Sequence, residues 1–273
     1  MPKEMLAVVD KPLIQYAVEE ALAAGIQEFI FVTGKGKTSI EDYFDHSPEL
    51  EQALKDRGQV VELENLNTLL PSAWQIAYTR QLKPLGLGHA IWSARHLIGD
   101  DPFAVFLADD LIVSGRPCMM EMVEAYEAKP ANYLAVMEVA ENETSRYGII
   151  EPISSGFENN LIAIKGMIEK PKANPPSHLA IIGRYILDPQ VLKILDTQKP
   201  GSGGEIQLTD SLLALLQTQA FYGVRFSGKR FDCGSKIGLL KASLHEALKR
   251  PDMAEELHQE IKSILENDRE AKA

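Results

Sequence analysis

Residues 103–110, Phe-Ala-Val-Phe-Leu-Ala-Asp-Asp, constrain the fold most. An apolar run closes on two adjacent carboxylates, and the turn residues Ile98-Gly99-Asp100-Asp101-Pro102 precede it. A short apolar run after a turn reads as a buried strand of a parallel sheet. Ligands of open α/β sheets collect beyond the carboxyl ends of strands, so the acidic pair stands where a metal-bound phosphate would sit. Side chains alternate along a strand, which sends Asp109 and Asp110 to opposite sides and leaves at most one as a direct ligand. The plain alternative is a solvated strand end.

A chain of 273 residues fits one large α/β domain, or a domain with appendages. Its formal net charge of −11 argues against nucleic acid or an anionic membrane as partner. Phosphates would then be held by local lysines, backbone amides or a metal. Cys118 and Cys233, without metal-ligand spacing, fit a reducing cytoplasm and no disulfide framework. No signal-type core or run of transmembrane length is visible.

Along the chain, Pro12 and Gly25 bracket a helix with Leu13, Ala17, Ala21 and Ala24 on one face. A strand over 29–33 leads into Gly34-Lys35-Gly36-Lys37, either a phosphate loop or a plain connection. Helices follow at 39–44 and 48–57, and weak periodicity predicts irregular chain over 58–74. After a strand at 76–81, Gly86 and Gly88 either admit close backbone approach to a ligand or simply turn the chain into a helix ending near Leu97. A helix at 119–128 and a strand at 133–139 come next, then short β-rich pieces between 147 and 170. The strand 179–187 holds Gly183, and glycine within a strand often marks close approach of a ligand. A helix to 195, a flexible loop at 198–204, a helix at 206–216 and strands at 221–226 and 229–231 complete the core. Two helices over 235–266 carry the stripe Leu239, Leu240, Leu244 and Leu248, suited to packing on the core or on a second subunit.

Several segments in this order carry a resemblance: Lys3-Glu4-Met5-Leu6, Asp10-Lys11-Pro12-Leu13-Ile14-Gln15-Tyr16, Gly86-Leu87-Gly88-His89-Ala90, Glu169-Lys170-Pro171-Lys172, Gly183-Arg184-Tyr185 and Gly204-Glu205-Ile206-Gln207-Leu208-Thr209-Asp210. The chain resembles the bacterial UTP–glucose-1-phosphate uridylyltransferases over nearly its whole length. The resemblance implies an α/β fold, a Rossmann-like mixed sheet flanked by helices with a small β-rich sugar-binding insertion and C-terminal helices. The nucleotidyltransferase domain would span 1–234, its sugar-binding part about 147–210, with a helical segment at 235–273. The implied reaction is attack of the glucose-1-phosphate oxygen on the α-phosphorus of UTP, giving UDP-glucose and pyrophosphate in the cytoplasm. Such catalysis is positioning plus charge neutralisation. Asp109 and Asp232 match the two carboxylates for Mg2+. Lys3, Asp109 and Lys170 are the implied catalytic residues. Glu4, Gln81, Gly86, Gly88 and Asp110 are implied on the nucleotide side, with Asp110 set behind the metal ligand. Gly148, Glu169, Lys170, Gly183 and Glu205 are implied on the sugar side. Thr209 and Asp210 read as structural, and His89 as a helix-start residue. Members form dimers or tetramers, implying a homodimer or homotetramer.

In that family a first strand and a glycine-rich loop ending in Gly-Thr-Arg stand ahead of the segment matching Pro2-Lys3-Glu4, and the sequence as written shows neither. A chain made as written is therefore expected to turn over slowly and to fold poorly, because a missing central strand leaves ladder groups unpaired on both neighbours. Ala7 and Ala108 stand where relatives carry proline. Two other readings remain: a sugar-1-phosphate nucleotidyltransferase using dTTP, and a non-catalytic UDP-glucose-binding relative. An NAD-dependent dehydrogenase is disfavoured, since no Gly-x-Gly-x-x-Gly follows a first strand.

Overall fold

A computed structural model describes residues 2–69 and 75–271, with side chains for all of these but 65–69, 202 and 268–271. A 3-10 turn over Lys3–Met5 feeds a two-residue hairpin of β1 (Ala7–Val8) and β2 (Lys11–Pro12). Pro12, in extended conformation, caps α1 (Leu13–Ala23), and Gly25 at φ +84° turns the chain away. The next elements are β3 (Phe29–Thr33), α2 (Thr38–Phe44), α3 (Pro48–Asp56), α4 (Val60–Leu69) and β4 (Ile76–Arg80). The irregular chain expected over 58–74 is thus corrected at α4. That helix exposes Val60 and Val61, so it shows no apolar stripe to read. Residues 70–74 lie outside the described ones.

α5 (Leu87–Ser93) and α6 (Arg95–Ile98) replace the single helix expected to Leu97. β5 (Phe103–Phe106), β6 (Asp110–Val113), α7 (Cys118–Ala128) and β7 (Asn132–Glu138) follow. After a 3-10 turn over Glu141–Arg146 come β8 (Gly148–Pro152), β9 (Leu161–Glu169), β10 (Leu179–Leu187) and α8 (Gln190–Thr197). The chain closes with a 3-10 turn over Ser202–Gly204, then α9 (Leu208–Leu215), β11 (Phe221–Arg225), β12 (Lys229–Asp232), α10 (Lys236–Ala247) and α11 (Ala254–Ala271).

The main sheet has the order β5-β10-β7-β11-β9-β8, and β10 also bridges β8 through Ala180 and Ile149. It is mixed: β11 runs parallel to β7 and the other pairs are antiparallel. One face packs on α8 and α9 through Leu134, Val136, Val191, Leu195 and Leu212. The other packs on α7 through Met119, Met122 and Tyr133. β5 corrects the expectation of a buried parallel strand. It is an edge strand of the six, antiparallel to β10, and its residues are half-buried. β3 and β4 form a separate parallel pair, and β6 and β12 a separate antiparallel pair. The register of that last pair sets Asp232 opposite Asp110, which brings the two acidic segments together. No described helix is long and apolar enough to cross a membrane.

Candidate active site

The acidic pair does not close β5: Asp109 lies in the turn after it and Asp110 opens β6. The β5 ladder stops at Phe106; Leu107 N–H donates to the Gly183 carbonyl and Asp110 N–H to the Leu107 carbonyl at 3.0 Å. The turn sends the two carboxylates apart, as strand alternation implied. Asp110 points inward, where its Oδ1 accepts from the Arg230 guanidinium and its Oδ2 from Gly183 N–H at 2.9 Å. Asp109 points outward. Its carbonyl accepts from Cys233 N–H at 2.9 Å, clamping it to the residue after Asp232.

A side chain at Gly234 would reveal how close the two acids come. A Cβ there would lie 3.1 Å from Asp109 Oδ2 and 3.2 Å from Asp232 Oδ1. Two carboxylate oxygens therefore face one small space that only a glycine leaves open. Among the described residues no third His, Cys, Asp or Glu joins them. Mg2+ takes one or two carboxylates and completes its octahedron with water and substrate phosphates, so this donor set fits that ion.

Two cations cover the pair. The Lys3 ammonium sits on Asp109 Oδ2, and Arg146 Nη2 lies 2.9 Å from Asp232 Oδ2. Burial works against the Lys3 charge, but the Asp109 carboxylate, helped by Glu4 and Asp232, outweighs it and raises the Lys3 pKa. Arg230 shows the same balance: burial opposes its charge and Asp110 more than restores it.

Beside the acids lies a cleft of about 400 Å³. Asp109, Asp110, Gly148, Glu169, Lys170, Gly183, Glu205 and Asp232, eight of the residues singled out in the sequence, line it together. Thr209 Oγ1 donates to Glu169 Oε2 at 2.6 Å, which fixes the carboxylate in the wall. Lys170 stands 3.5 Å from Glu169 and holds a left-handed backbone at φ +45°, a strained conformation for a residue with a side chain. Glu205 accepts from Gln207 Nε2 at 2.9 Å. Gly148 sits tight against the same pair: a Cβ there would meet Thr209 Oγ1 and Glu169 Oε2 at 3.1 and 3.2 Å. At Gly183 the close approach is made by the chain itself: a Cβ would lie 2.6 Å from Leu107 Cβ. Both backbone polar groups of Gly183 are already engaged, with Asp110 and Leu107.

Of the residues implied on the nucleotide side only Asp110 lines this cleft; Glu4, Gln81, Gly86 and Gly88 are not among its lining residues. Gly86 and Gly88 let their loop press on Glu205-Ile206, where Gly88 N–H donates to the Ile206 carbonyl at 2.9 Å and Ile206 N–H to that of Leu85 at 2.6 Å. Gln81 Nε2 donates to the Gly86 carbonyl at 3.0 Å. Glu4 pairs with Lys37 at 2.6 Å, so one lysine of the basic glycine loop neutralises a carboxylate. Sequence reasoning missed Arg146, Tyr147 and Arg230, all in the cleft wall. The only available signal was their closeness in sequence to Gly148 and Asp232.

A mixed α/β sheet with paired acids beside a polar cleft is the architecture of nucleotidyl transferases, and the Nucleotidyl transferase family model matches residues 1–248. The UTP–glucose-1-phosphate uridylyltransferase of Bacillus subtilis is 44% identical over 266 residues, covering 97% of this chain and 90% of its own length. A UDP-glucose pyrophosphorylase from Acinetobacter baumannii superposes with a TM-score of 0.86 at 38% identity, over 97% of this chain and 92% of that one. A UDP-glucose pyrophosphorylase solved in complex with UDP-glucose gives 0.80 at 44% identity, over 92% of each chain. The chain belongs to the family of UTP–glucose-1-phosphate uridylyltransferases.

Proposed function

We propose that the chain transfers a uridylyl group from UTP to glucose-1-phosphate, releasing pyrophosphate and UDP-glucose, in the cytoplasm. The observation that carries this reading is the meeting of Asp109 and Asp232 above Gly234, beside the wall built by Glu169 and Lys170. Asp109 and Asp232 would hold Mg2+, which when bound supplies positive charge to the phosphoryl oxygens. The sugar phosphate oxygen attacks the α-phosphorus of UTP and the bond to pyrophosphate breaks, with no proton-transfer group required. The chain's own part is placement. Glu169, locked by Thr209, and Glu205, braced by Gln207, accept from glucose hydroxyls. Lys170 stands beside Glu169 to take the sugar phosphate, and Lys3 to neutralise charge at the α-phosphate. The backbone around Gly86 and Gly88, with Gln81, would bound the uracil. Glu4 stands beside Lys3 on the nucleotide side, Gly148 brings backbone to the sugar, and Gly183 gives the turn before Asp109 its room. Two buried free thiols fit a reducing compartment. A homodimer or homotetramer is the proposed assembly.

The test is pyrophosphate release from UTP and glucose-1-phosphate with Mg2+, run beside dTTP. Turnover with UTP should exceed that with dTTP, and Asp109→Asn or Asp232→Asn should lower kcat about a hundredfold or more. UDP-glucose binding with no pyrophosphate release at any enzyme concentration would mean a binding protein instead.

A further inference from the structure

Arg146 belongs to no motif of the chain, yet it stands between the two halves of the site. It ends the 3-10 turn before β8, with Gly148 of the sugar wall two residues on. On its other side Nη2 meets Asp232 Oδ2 at 2.9 Å, and Nη1 lies 3.6 Å from Glu143. The backbone beneath is fixed: the Tyr147 carbonyl accepts from Lys170 N–H at 3.0 Å and the Tyr147 hydroxyl from Arg230 Nη1 at 2.8 Å. The Arg146 side chain itself is half exposed, so it can change partners without moving that backbone.

Its present partner is the carboxylate that would hold Mg2+, and one anionic oxygen pair serves two cations poorly at once. Two extended residues span about 7 Å, so a phosphate bridging Asp232 and the wall at Gly148 falls within reach of an arginine side chain. A planar guanidinium matches phosphate oxygens bidentately. From this we infer that Arg146 is a phosphate-binding residue held in store on Asp232. It occupies the metal carboxylate in the free protein, yields it to Mg2+, and turns to the phosphate that joins the sugar to the nucleotide. The inference rests on the Mg2+ reading of Asp109 and Asp232. Lys3 on Asp109 is its counterpart on the other acid.

The two roles pull a variant in opposite directions, which a merely structural residue would not do. UDP-glucose affinity is measured by calorimetry across a series of Mg2+ concentrations, on the full chain and on Arg146→Gln, Arg146→Lys and Asp232→Asn. In Arg146→Gln the Mg2+ concentration giving half the tightening should fall about threefold or more, because a competing cation is gone. The affinity at saturating Mg2+ should weaken about tenfold, the worth of a charge-assisted hydrogen bond. Arg146→Lys should recover part of that affinity. If Asp232→Asn abolishes the Mg2+ dependence while Arg146→Gln leaves either quantity within twofold of the parent, the stored-arginine inference is overturned alone. If Asp232→Asn keeps the parent's Mg2+ dependence, the metal reading fails and the inference with it.

Discussion

At Gly183 a hydrogen is all the space allows. A methyl there would lie 2.6 Å from Leu107 Cβ and 2.7 Å from Asp110 Oδ2, inside the turn that aims Asp109. Overpacking of this kind costs about 1–3 kcal/mol. Gly183→Ala should therefore lose about 2 kcal/mol in a urea titration and lose kcat as well, because the displaced turn carries Asp109, the carboxylate proposed for Mg2+. Gly115, with open space around its missing Cβ, is the control and should accept alanine silently. Cys233 tests the same region by chemistry. Burial first, then the Asp110 and Asp232 charges, push its thiol up from 9.0 to about 12. The native chain should resist iodoacetamide at pH 8, where the unfolded chain reacts readily. With its pKa raised in the folded state, the thiol contributes fully below pH 9.0 and loses its contribution as pH rises through about 12. Stability should fall over that window, and Cys233→Ala should flatten the decline; an unchanged slope would count against the buried thiol.

Strand β10 shows how one element ties three together. Arg184, buried in its middle, makes a bidentate contact with Glu20 of α1 at 2.7 and 3.2 Å and donates to the Leu107 carbonyl at 3.3 Å. Glu20 in turn accepts from Met119 N–H in the first turn of α7 at 3.0 Å. Removing one member of a buried pair leaves the other charge uncompensated, a cost of about 3–5 kcal/mol. Arg184→Met and Glu20→Met should each lose that much by guanidinium unfolding, and the double variant should regain most of it. Additive losses would show that the pair acts separately. The bounds of β10 were legible in the sequence as an apolar run from Leu179 to Leu187. The partner of Arg184 was not, since it lies 164 residues away and no local pattern encodes it. The same holds at the site. Glu169, Lys170 and Glu205 stood out by their segments, and Asp109 by its place after a strand. Arg146 and Arg230 carry no signature, because an arginine's meaning depends on which carboxylate the fold brings to it. β6 was hidden because Asp110-Leu-Ile-Val merges with the apolar run before it, and the β1–β2 hairpin because its strands are two residues long.

Across the whole molecule the sheets meet unequally. The β3–β4 pair shares no ladder with the six-stranded sheet among the described residues, and β3 and β5 are each paired on one side only. Phe29, Ile30, Phe31 and Val32 stay half-buried, and the cluster beneath them rests on Ile14, Val18, Ile40 and Phe44. The six-stranded sheet has a large buried cluster on each face. Local opening free energy follows buried apolar contact and protected backbone, so these regions should not unfold together. In hydrogen exchange at rising urea, amides over 29–33 and 76–80 should open at lower denaturant than those over 133–136 and 181–187. The consequence for the site is directional. Lys3 shares its turn with Met5, which packs in the cluster under β3, while Glu169, Gly148 and Gly183 stand on the stronger sheet. At intermediate urea the cleft wall of Gly148 and Glu169 should persist after the Lys3–Asp109 contact is lost, so turnover should vanish at lower urea than the main unfolding transition. One concerted transition in exchange, activity and circular dichroism would refute this division.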